Sequence, residues 1–187
     1  MIVLFSGGYD STILALQHIE KITYLLHIEY KNPAMNSELK ASKRIYEELI
    51  NFNSNLKFES VKVPINAKDM FIGAGEKGAR YVPNRNSIFL AIASNFAKTR
   101  GINTVLYGAA QADQNDYFDC TPEFINLISK ALNIDIRAPL LEDTEHKITI
   151  NQKEVKRILD LSWSCYQPIK DLPCMICNSC TQNRQTK

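Results

Sequence analysis

Apolar residues follow two rhythms in this chain of 187 residues: short continuous runs, and longer stretches where they recur every three or four positions. The first rhythm predicts strands buried on both faces, the second helices with one face inward. Residues 2–5 (Ile-Val-Leu-Phe) form the first run, too short for a helix. After Ser6-Gly7-Gly8-Tyr9-Asp10-Ser11-Thr12, the positions Ile13, Leu14, Leu16 and Ile19 predict a helix that Asp10 or Ser11 can cap. Residues 22–30 predict a second strand, broken by Asn32-Pro33. Over 36–49, Glu38, Lys40, Lys43, Arg44, Glu47 and Glu48 surround a face of Leu39, Ser42, Ile45, Tyr46 and Leu49, which predicts an amphipathic helix. A third strand is expected over 58–63, ended by Pro64.

Further on, Ile88, Phe89, Leu90, Ile92, Ala93 and Phe96 predict a helix that starts near Arg85. Residues 104–108 read as a fourth strand ending in Gly108, and Thr121-Pro122 reads as the cap and first position of another helix. A last helix is expected near 152–161. Strands alternating with helices imply right-handed crossovers and a parallel sheet covered on both faces, an α/β domain of Rossmann-like type over 1–161. Ligands of such sheets sit at the carboxyl ends of the strands, where the Ser6-to-Thr12 turn lies. Residues 162–187 form a separate cysteine-bearing tail.

Bulk properties narrow the function classes. A hydrophobic share of 45% and a charged share of 22% are those of an ordinary soluble globule. The net charge of +2 argues against a general nucleic-acid binder. No stretch approaches the roughly 18 apolar residues of a membrane span, and the N-terminus has no signal-peptide pattern, so a cytoplasmic location is expected. There the five cysteines stay reduced, and a cluster of them points to metal or catalysis before disulfides.

The turn after the first strand carries the main chemical signal. Gly7 and Gly8 let backbone amides close on a ligand, and the helix N-terminus adds about half a positive charge. Hydroxyls of Ser6, Ser11 and Thr12 are candidate extra donors. A tight turn with a helix cap and no ligand is the plain alternative. Five fixed residues in Ser-Gly-Gly-x-Asp-Ser, directly after an N-terminal strand, favour a phosphate or pyrophosphate site. The sequence is neither a Walker loop nor a GxGxxG turn.

Other candidates follow in order. His18, His27 and His146 have no partner at ligand spacing and are read as structural. Residues 66–83, with Gly73, Gly75, Gly78, Lys68, Lys77 and Arg80, suggest a mobile binding loop. Arg85 at a helix start opposes the dipole, a mismatch that a ligand phosphate or carboxylate resolves, or else a salt bridge to a nearby acid. The acidic, amide-rich loop over 109–120, with Asp113, Asp116 and Asp119, could orient a polar heterocycle, help bind magnesium, or simply be solvated. Cys120 is expected to be a buried or pocket-lining thiol.

Cys165, Cys174, Cys177 and Cys180 lie within sixteen residues, the last three at C-x2-C-x2-C spacing. Such spacing turns thiolates toward one tetrahedral ion at roughly 2.3 Å. A structural zinc of this kind contributes on the order of 10 kcal/mol to folding. An iron-sulfur cluster is the rival occupant.

The opening turn resembles the PP-loop of the ATP pyrophosphatase group, whose adenine nucleotide alpha hydrolase-like (HUP) fold is the Rossmann-like sheet expected here. Within it the chain resembles the 7-cyano-7-deazaguanine synthases, the QueC family. The resemblance rests on Phe5-Ser6-Gly7-Gly8-Tyr9-Asp10-Ser11-Thr12, on Val82-Pro83-Asn84-Arg85-Asn86 with Phe89-Leu90, and on Asp113 with Tyr117, Asp119-Cys120 and Pro122-Glu123-Phe124. Ala138-Pro139-Leu140 and the stretch from Trp163-Ser164-Cys165-Tyr166 to Cys180 complete it.

The resemblance implies an ATP-dependent carbon-nitrogen ligase: 7-carboxy-7-deazaguanine is adenylated, ammonia gives the amide, and a second ATP drives dehydration to the nitrile. It implies ATP held by Phe5, Ser6, Gly7, Gly8, Asp10, Ser11 and Thr12, with Mg2+, and catalytic roles for Asp10, Ser11 and Arg85. Substrate contacts are implied for Arg85, Asn86, Asp113, Tyr117 and Asp119, and structural Zn2+ for the four tail cysteines. Partners are then the small 7-deazaguanine acid and ammonia, with no membrane or nucleic acid. A homodimer is compatible with the chain, although nothing in the sequence demands one.

The chain departs from the family pattern at Tyr30-Lys31-Asn32-Pro33, where Tyr-Gly-Gln-Arg-His is usual. Asp116, Phe118 and Thr121 stand for a usual Gly, Pro and Arg, and Met175 for a Gly. The chain is also shorter than is usual for the family. The alternatives are a divergent relative acting on another acid, and a nucleotide-binding module without catalysis. A tRNA thiolase fits less well, because no cysteine pair is placed for sulfur transfer.

Overall fold

The computed structural model describes residues 1–66, 82–142, 148–177, 179 and 180. The expected loop over 66–83 falls, apart from its ends, outside the described residues, as do His146 and residues 181–187.

Among the described residues five strands and five α-helices alternate. They are β1 (Ile2–Leu4), α1 (Tyr9–Gln17), β2 (Tyr24–Lys31), α2 (Met35–Leu49) and β3 (Lys57–Asn66), then α3 (Arg85–Lys98), β4 (Thr104–Leu106), α4 (Pro122–Leu132), β5 (Asp135–Arg137) and α5 (Gln152–Leu159). All strand pairs are parallel, in the order β3-β2-β1-β4-β5. The chain therefore reverses its winding between β1 and β4. Loops diverge at that switch point and leave a crevice beyond the carboxyl ends of the strands.

Side chains alternate across this sheet, so each face has its own core. Ile2, Leu26 and Val105 pack with Phe89, Leu90 and Phe96 of α3 and Phe124 of α4. Val3, Leu25 and Leu106 pack on the other face with Leu14 and Leu16 of α1, Ile45 and Leu49 of α2, and Ile158 of α5. The register agrees: Val3 lies beside Leu25 and Leu106, and Ile2 beside Val105.

Three expectations are corrected. The α1 cap is Gly8, in extended conformation, and Asp10 and Ser11 lie inside the first turn. Strand β3 continues through Pro64 to Asn66, because it is an edge strand and the proline falls where the register shifts between Glu29 and Lys31. The buried face of α2 is Ser37, Ala41, Ser42, Ile45 and Leu49, with Leu39 and Tyr46 only partly covered. The cap of α4 is as expected: Thr121 Oγ1 accepts from the Phe124 amide at 3.1 Å, with Pro122 opening the helix.

His27 links three elements in the interior. Its Nδ1 lies 2.9 Å from the Phe5 carbonyl and 3.1 Å from Ser42 Oγ, joining β2 to the end of β1 and to α2. Burial holds its imidazole below the ordinary value of 6.5. The unfolded chain thus takes up a proton below pH 6.5 that the folded chain resists. Stability is full above that pH and declines as pH falls through it, by at most about 1.4 kcal/mol per pH unit. Denaturant unfolding at about pH 7.5 and about pH 5.5 should show a smaller decline for His27→Asn, whose amide still reaches Phe5, than for the wild type.

Candidate functional site: the phosphate loop, its cleft and the cysteine tail

The loop between β1 and α1 is held in one shape from several sides. Gly7 has φ +76°, and a Cβ there would lie 2.5 Å from Ser42 Oγ and 2.9 Å from the Glu38 carbonyl oxygen. Only glycine lets the loop press this closely on α2. Gly8 donates its amide to Ser6 Oγ at 3.1 Å, and its carbonyl accepts from Ser11 Oγ at 3.1 Å and Thr12 Oγ1 at 2.7 Å. Ser6 Oγ and Ser11 Oγ are 3.0 Å apart. The hydroxyls of Ser11 and Thr12 thus brace the loop from within. The donors left for an anion are the first-turn amides of α1, which have no carbonyl of a preceding turn to bond. β4 stops at Leu106, short of the expected end at Gly108; Gly108, two residues further, lets the chain abut the turn, since a Cβ there would lie 3.3 Å from the Ser11 nitrogen.

Beyond the loop lies a cleft of about 720 Å³ at the carboxyl edge of the sheet. It brings together most of the residues singled out from the sequence. Phe5, Ser6, Gly8, Asp10 and Ser11 line it, as do Arg85, Asn86, Asp113, Tyr117 and Asp119. Gly7 and Thr12 are buried behind the wall. Cys120 lines the cleft as expected, and burial together with Asp119 pushes its thiol up to about 12. Burial and that charge favour the thiol over the thiolate, which is the nucleophilic form.

Arg85 opens α3 from the left-handed Asn84, φ 58°. Its Nη1 donates to the Tyr30 hydroxyl and its Nε to Asn86 Oδ1, both at 3.4 Å. Among the described residues no carboxylate forms an ion pair with it. A guanidinium carries five N–H donors; among the described residues two hydrogen bonds engage it, and the Glu38 charge acts on it without an ion-pair contact. The salt bridge that would have explained Arg85 without a ligand is therefore missing among the described residues. Asn86 Nδ2 donates to Asp119 Oδ2 at 2.7 Å and ties α3 to the acidic loop.

Carboxylates crowd the rest of the cleft. Burial, followed by the charges of Asp116 and Asp119, raises Asp113 above the ordinary carboxyl range. Asp10 is reached by solvent but enclosed by the cleft walls; that enclosure and the Asp113 charge raise it too. Sequence reasoning missed several other lining residues: Tyr30, Glu38, Tyr107 and, from the tail, Trp163 and Tyr166. Glu38 reads as a surface charge on an amphipathic helix, yet here burial raises its carboxyl and Asn32 Nδ2 donates to it at 3.4 Å. The available signal was its place in the first turn of α2, just past the carboxyl end of β2.

The four tail cysteines converge: their sulfurs all lie within 4.8 Å of one another. Cys165 and Cys180 are buried, Cys174 and Cys177 partly so. The Cys174 amide donates to Cys165 Sγ at 3.2 Å, and the Cys177 amide to Cys174 Sγ at 3.4 Å. Amide donors, chiefly those of Ile176 and Cys177, hold the Cys174 thiol down to about 6, as a thiolate ligand requires. This donor set fits a metal ion. The tail also touches the loop, since the Trp163 amide donates to the Gly7 carbonyl at 2.9 Å.

A five-stranded parallel sheet with a glycine loop at its switch point and a four-cysteine tail defines an α/β protein of Rossmann-like type with a candidate phosphate loop and metal site. Residues 1–186 match the family described as queuosine biosynthesis protein QueC. The 7-cyano-7-deazaguanine synthase of Aliarcobacter butzleri (strain RM4018) is 34% identical, over 96% of this chain and 86% of that one. The synthase of Sulfurovum sp. (strain NBC37-1) is 31% identical, over 96% and 89%. A solved structure described as a predicted subunit of tRNA methyltransferase from Methanocaldococcus jannaschii is similar in fold, with a TM-score of 0.50 at 17% identity, over 86% of this chain and 73% of that one. The chain belongs to the QueC family. Among the described residues no helix is long and apolar enough to cross a membrane.

The loop geometry makes a paired prediction. Gly101 also has positive φ, 68°, but a Cβ there meets nothing within 4 Å. Gly101→Ala should therefore cost about 1 kcal/mol of stability, and Gly7→Ala about 3 kcal/mol or more, as read by denaturant unfolding.

Proposed function

We propose that this chain is an ATP-dependent ligase that adenylates the carboxylate of 7-carboxy-7-deazaguanine and carries it, with ammonia, to 7-cyano-7-deazaguanine. The observation that carries this reading is an Arg85 guanidinium that, among the described residues, has no carboxylate ion pair and lines the same cleft as the first turn of α1. The first-turn amides suit the β and γ phosphates of ATP, and Arg85 suits the acid or the α-phosphate that it attacks.

In the first half-reaction a carboxylate oxygen attacks the α-phosphorus and pyrophosphate leaves. Amides of the loop stabilise the charge that grows on the leaving group, and Arg85 holds the attacking carboxylate in line. Ammonia then adds to the acyl carbon and AMP departs, giving the amide. A second adenylation on the amide oxygen, followed by loss of AMP and two protons from the nitrogen, gives the nitrile. The charges of Asp116 and Asp119 raise the Asp113 carboxyl, and Mg2+ carried in with the ATP phosphates would offset that negative edge of the cleft and supply charge neutralisation for the phosphates. Asn86 keeps Asp119 oriented.

The tail is assigned a single zinc ion rather than a cluster. Sulfurs on one tetrahedral zinc sit about 3.8 Å apart. Those on a cubane cluster sit roughly 6 Å apart, wider than the 4.8 Å limit here. Residues 162–187 form this zinc-binding unit and 1–161 the nucleotide-binding domain. Four protein ligands leave no open position, so the metal's role is structural.

A second reading is a different acid substrate, favoured by Asp116, which adds a carboxylate to the cleft where the family pattern has glycine. Pyrophosphate exchange into ATP, measured with 7-carboxy-7-deazaguanine, separates the two. Exchange should depend on that acid, and Arg85→Gln should reduce it on the order of 10- to 100-fold, the worth of a charged hydrogen bond. Exchange with another acid alone would support the second reading, and no exchange with any acid would sink both.

A further inference from the structure

The contact between the cysteine tail and the loop lies outside everything the reaction scheme requires. Helix α5 ends at Leu159, and turns at Leu161 and Ser162 lead the chain to the loop that precedes α1. There the Trp163 amide donates to the carbonyl of Gly7, the residue whose positive φ sets the loop's shape. The Trp163 carbonyl stands over Gly8, 3.6 Å from where a Cβ would be. Two residues on, Cys165 is buried in the cysteine cluster. The indole bridges the two, because Trp163 Nε1 donates to the Cys165 carbonyl at 2.8 Å. An exposed pair, Lys40 to Asp171 at 2.6 Å, adds a second tie between α2 and the tail. Exposed pairs of this kind contribute little by themselves.

We propose that Trp163 is a positioning residue for the phosphate loop, and that metal binding at Cys165 holds it in place, so that the metal site and the ATP phosphates are energetically coupled. This rests on the phosphate-binding reading of the loop. The Gly7 peptide cannot take another acceptor geometry without moving Gly8 and the α1 amides. Fixing its carbonyl from outside therefore fixes where those amides point. Coupling between two ligands is reciprocal: whatever the metal does for ATP affinity, the nucleotide must do for metal affinity.

The test uses wild-type protein loaded with zinc. Release of the metal to a chromophoric chelator is timed with no nucleotide, with the magnesium complex of a non-hydrolysable ATP analogue, and with AMP. The analogue should slow release about tenfold, the worth of one well-held hydrogen bond with its geometry, while AMP leaves it unchanged. Trp163 is the chain's single tryptophan, so its emission should shift to shorter wavelength with the analogue and to longer wavelength on metal loss. Equal release rates with and without the analogue, or equal protection by AMP, would overturn the proposal. Calorimetry separates two failures. A protein that does not bind the analogue removes the phosphate-site reading itself, and one that binds it without protecting the metal removes only the coupling. As a second arm, Trp163→Pro deletes the amide donor and should weaken analogue binding about tenfold at unchanged zinc content, and Trp163→Phe, which keeps the amide, should restore most of that loss.

Discussion

The left-handed turn at Gly7 is the constraint on which the site depends. A strand running straight into a helix must reverse within the four residues between Leu4 and Tyr9, and here the reversal brings backbone to within van der Waals contact of α2. Everything that touches the turn keeps it from relaxing. Ser42 and His27 brace it from the interior, the Ser11 and Thr12 hydroxyls brace Gly8 from the helix, and Trp163 braces the Gly7 carbonyl from the tail. The result is a helix start whose amides are aimed before any anion arrives, so binding need not be followed by rearrangement.

The cleft sets opposite charges against each other. The α1 first turn and Arg85 supply positive potential, whereas Asp10, Asp113, Asp116, Asp119 and Glu38 supply negative potential within the same walls. Burial raises the carboxyls of Asp10, Glu38 and Asp113, and neighbouring acids raise those of Asp10 and Asp113 further. A protein gains no stability from such crowding. It is the pattern expected where a substrate, with its accompanying cation, completes the electrostatics. Tyr107 and Cys120, by contrast, stay protonated through burial and complete the wall as neutral groups.

Much of this was readable from local pattern, and what was not has physical reasons. Among the described residues the strand runs and the three-to-four spacing located the five α-helices and four of the five strands, because buried strands and amphipathic helices carry their own periodicity. Pro64 read as a stop because sheet position is invisible in sequence: only at an edge does a strand tolerate a missing amide. Asp10 and Ser11 read as caps because glycine offers no side chain to signal one, and the hydroxyls serve the loop instead. Glu38 read as a solvated charge, because the cleft that encloses it is made by residues far away in sequence, among them Arg85 and Trp163. The cysteines were plain, since their spacing is itself the geometry, but their attachment to the loop depends on where α5 ends.

The central claim is that the loop holds the outer phosphates of ATP while an acid in the cleft attacks the innermost phosphorus. Labelling the carboxylate of 7-carboxy-7-deazaguanine with oxygen-18 and analysing the nucleotide by mass spectrometry tests it most directly. The account predicts that label passes from the acid into AMP and none into inorganic phosphate. Label in inorganic phosphate with ADP as the product, or AMP formed without label, would contradict it.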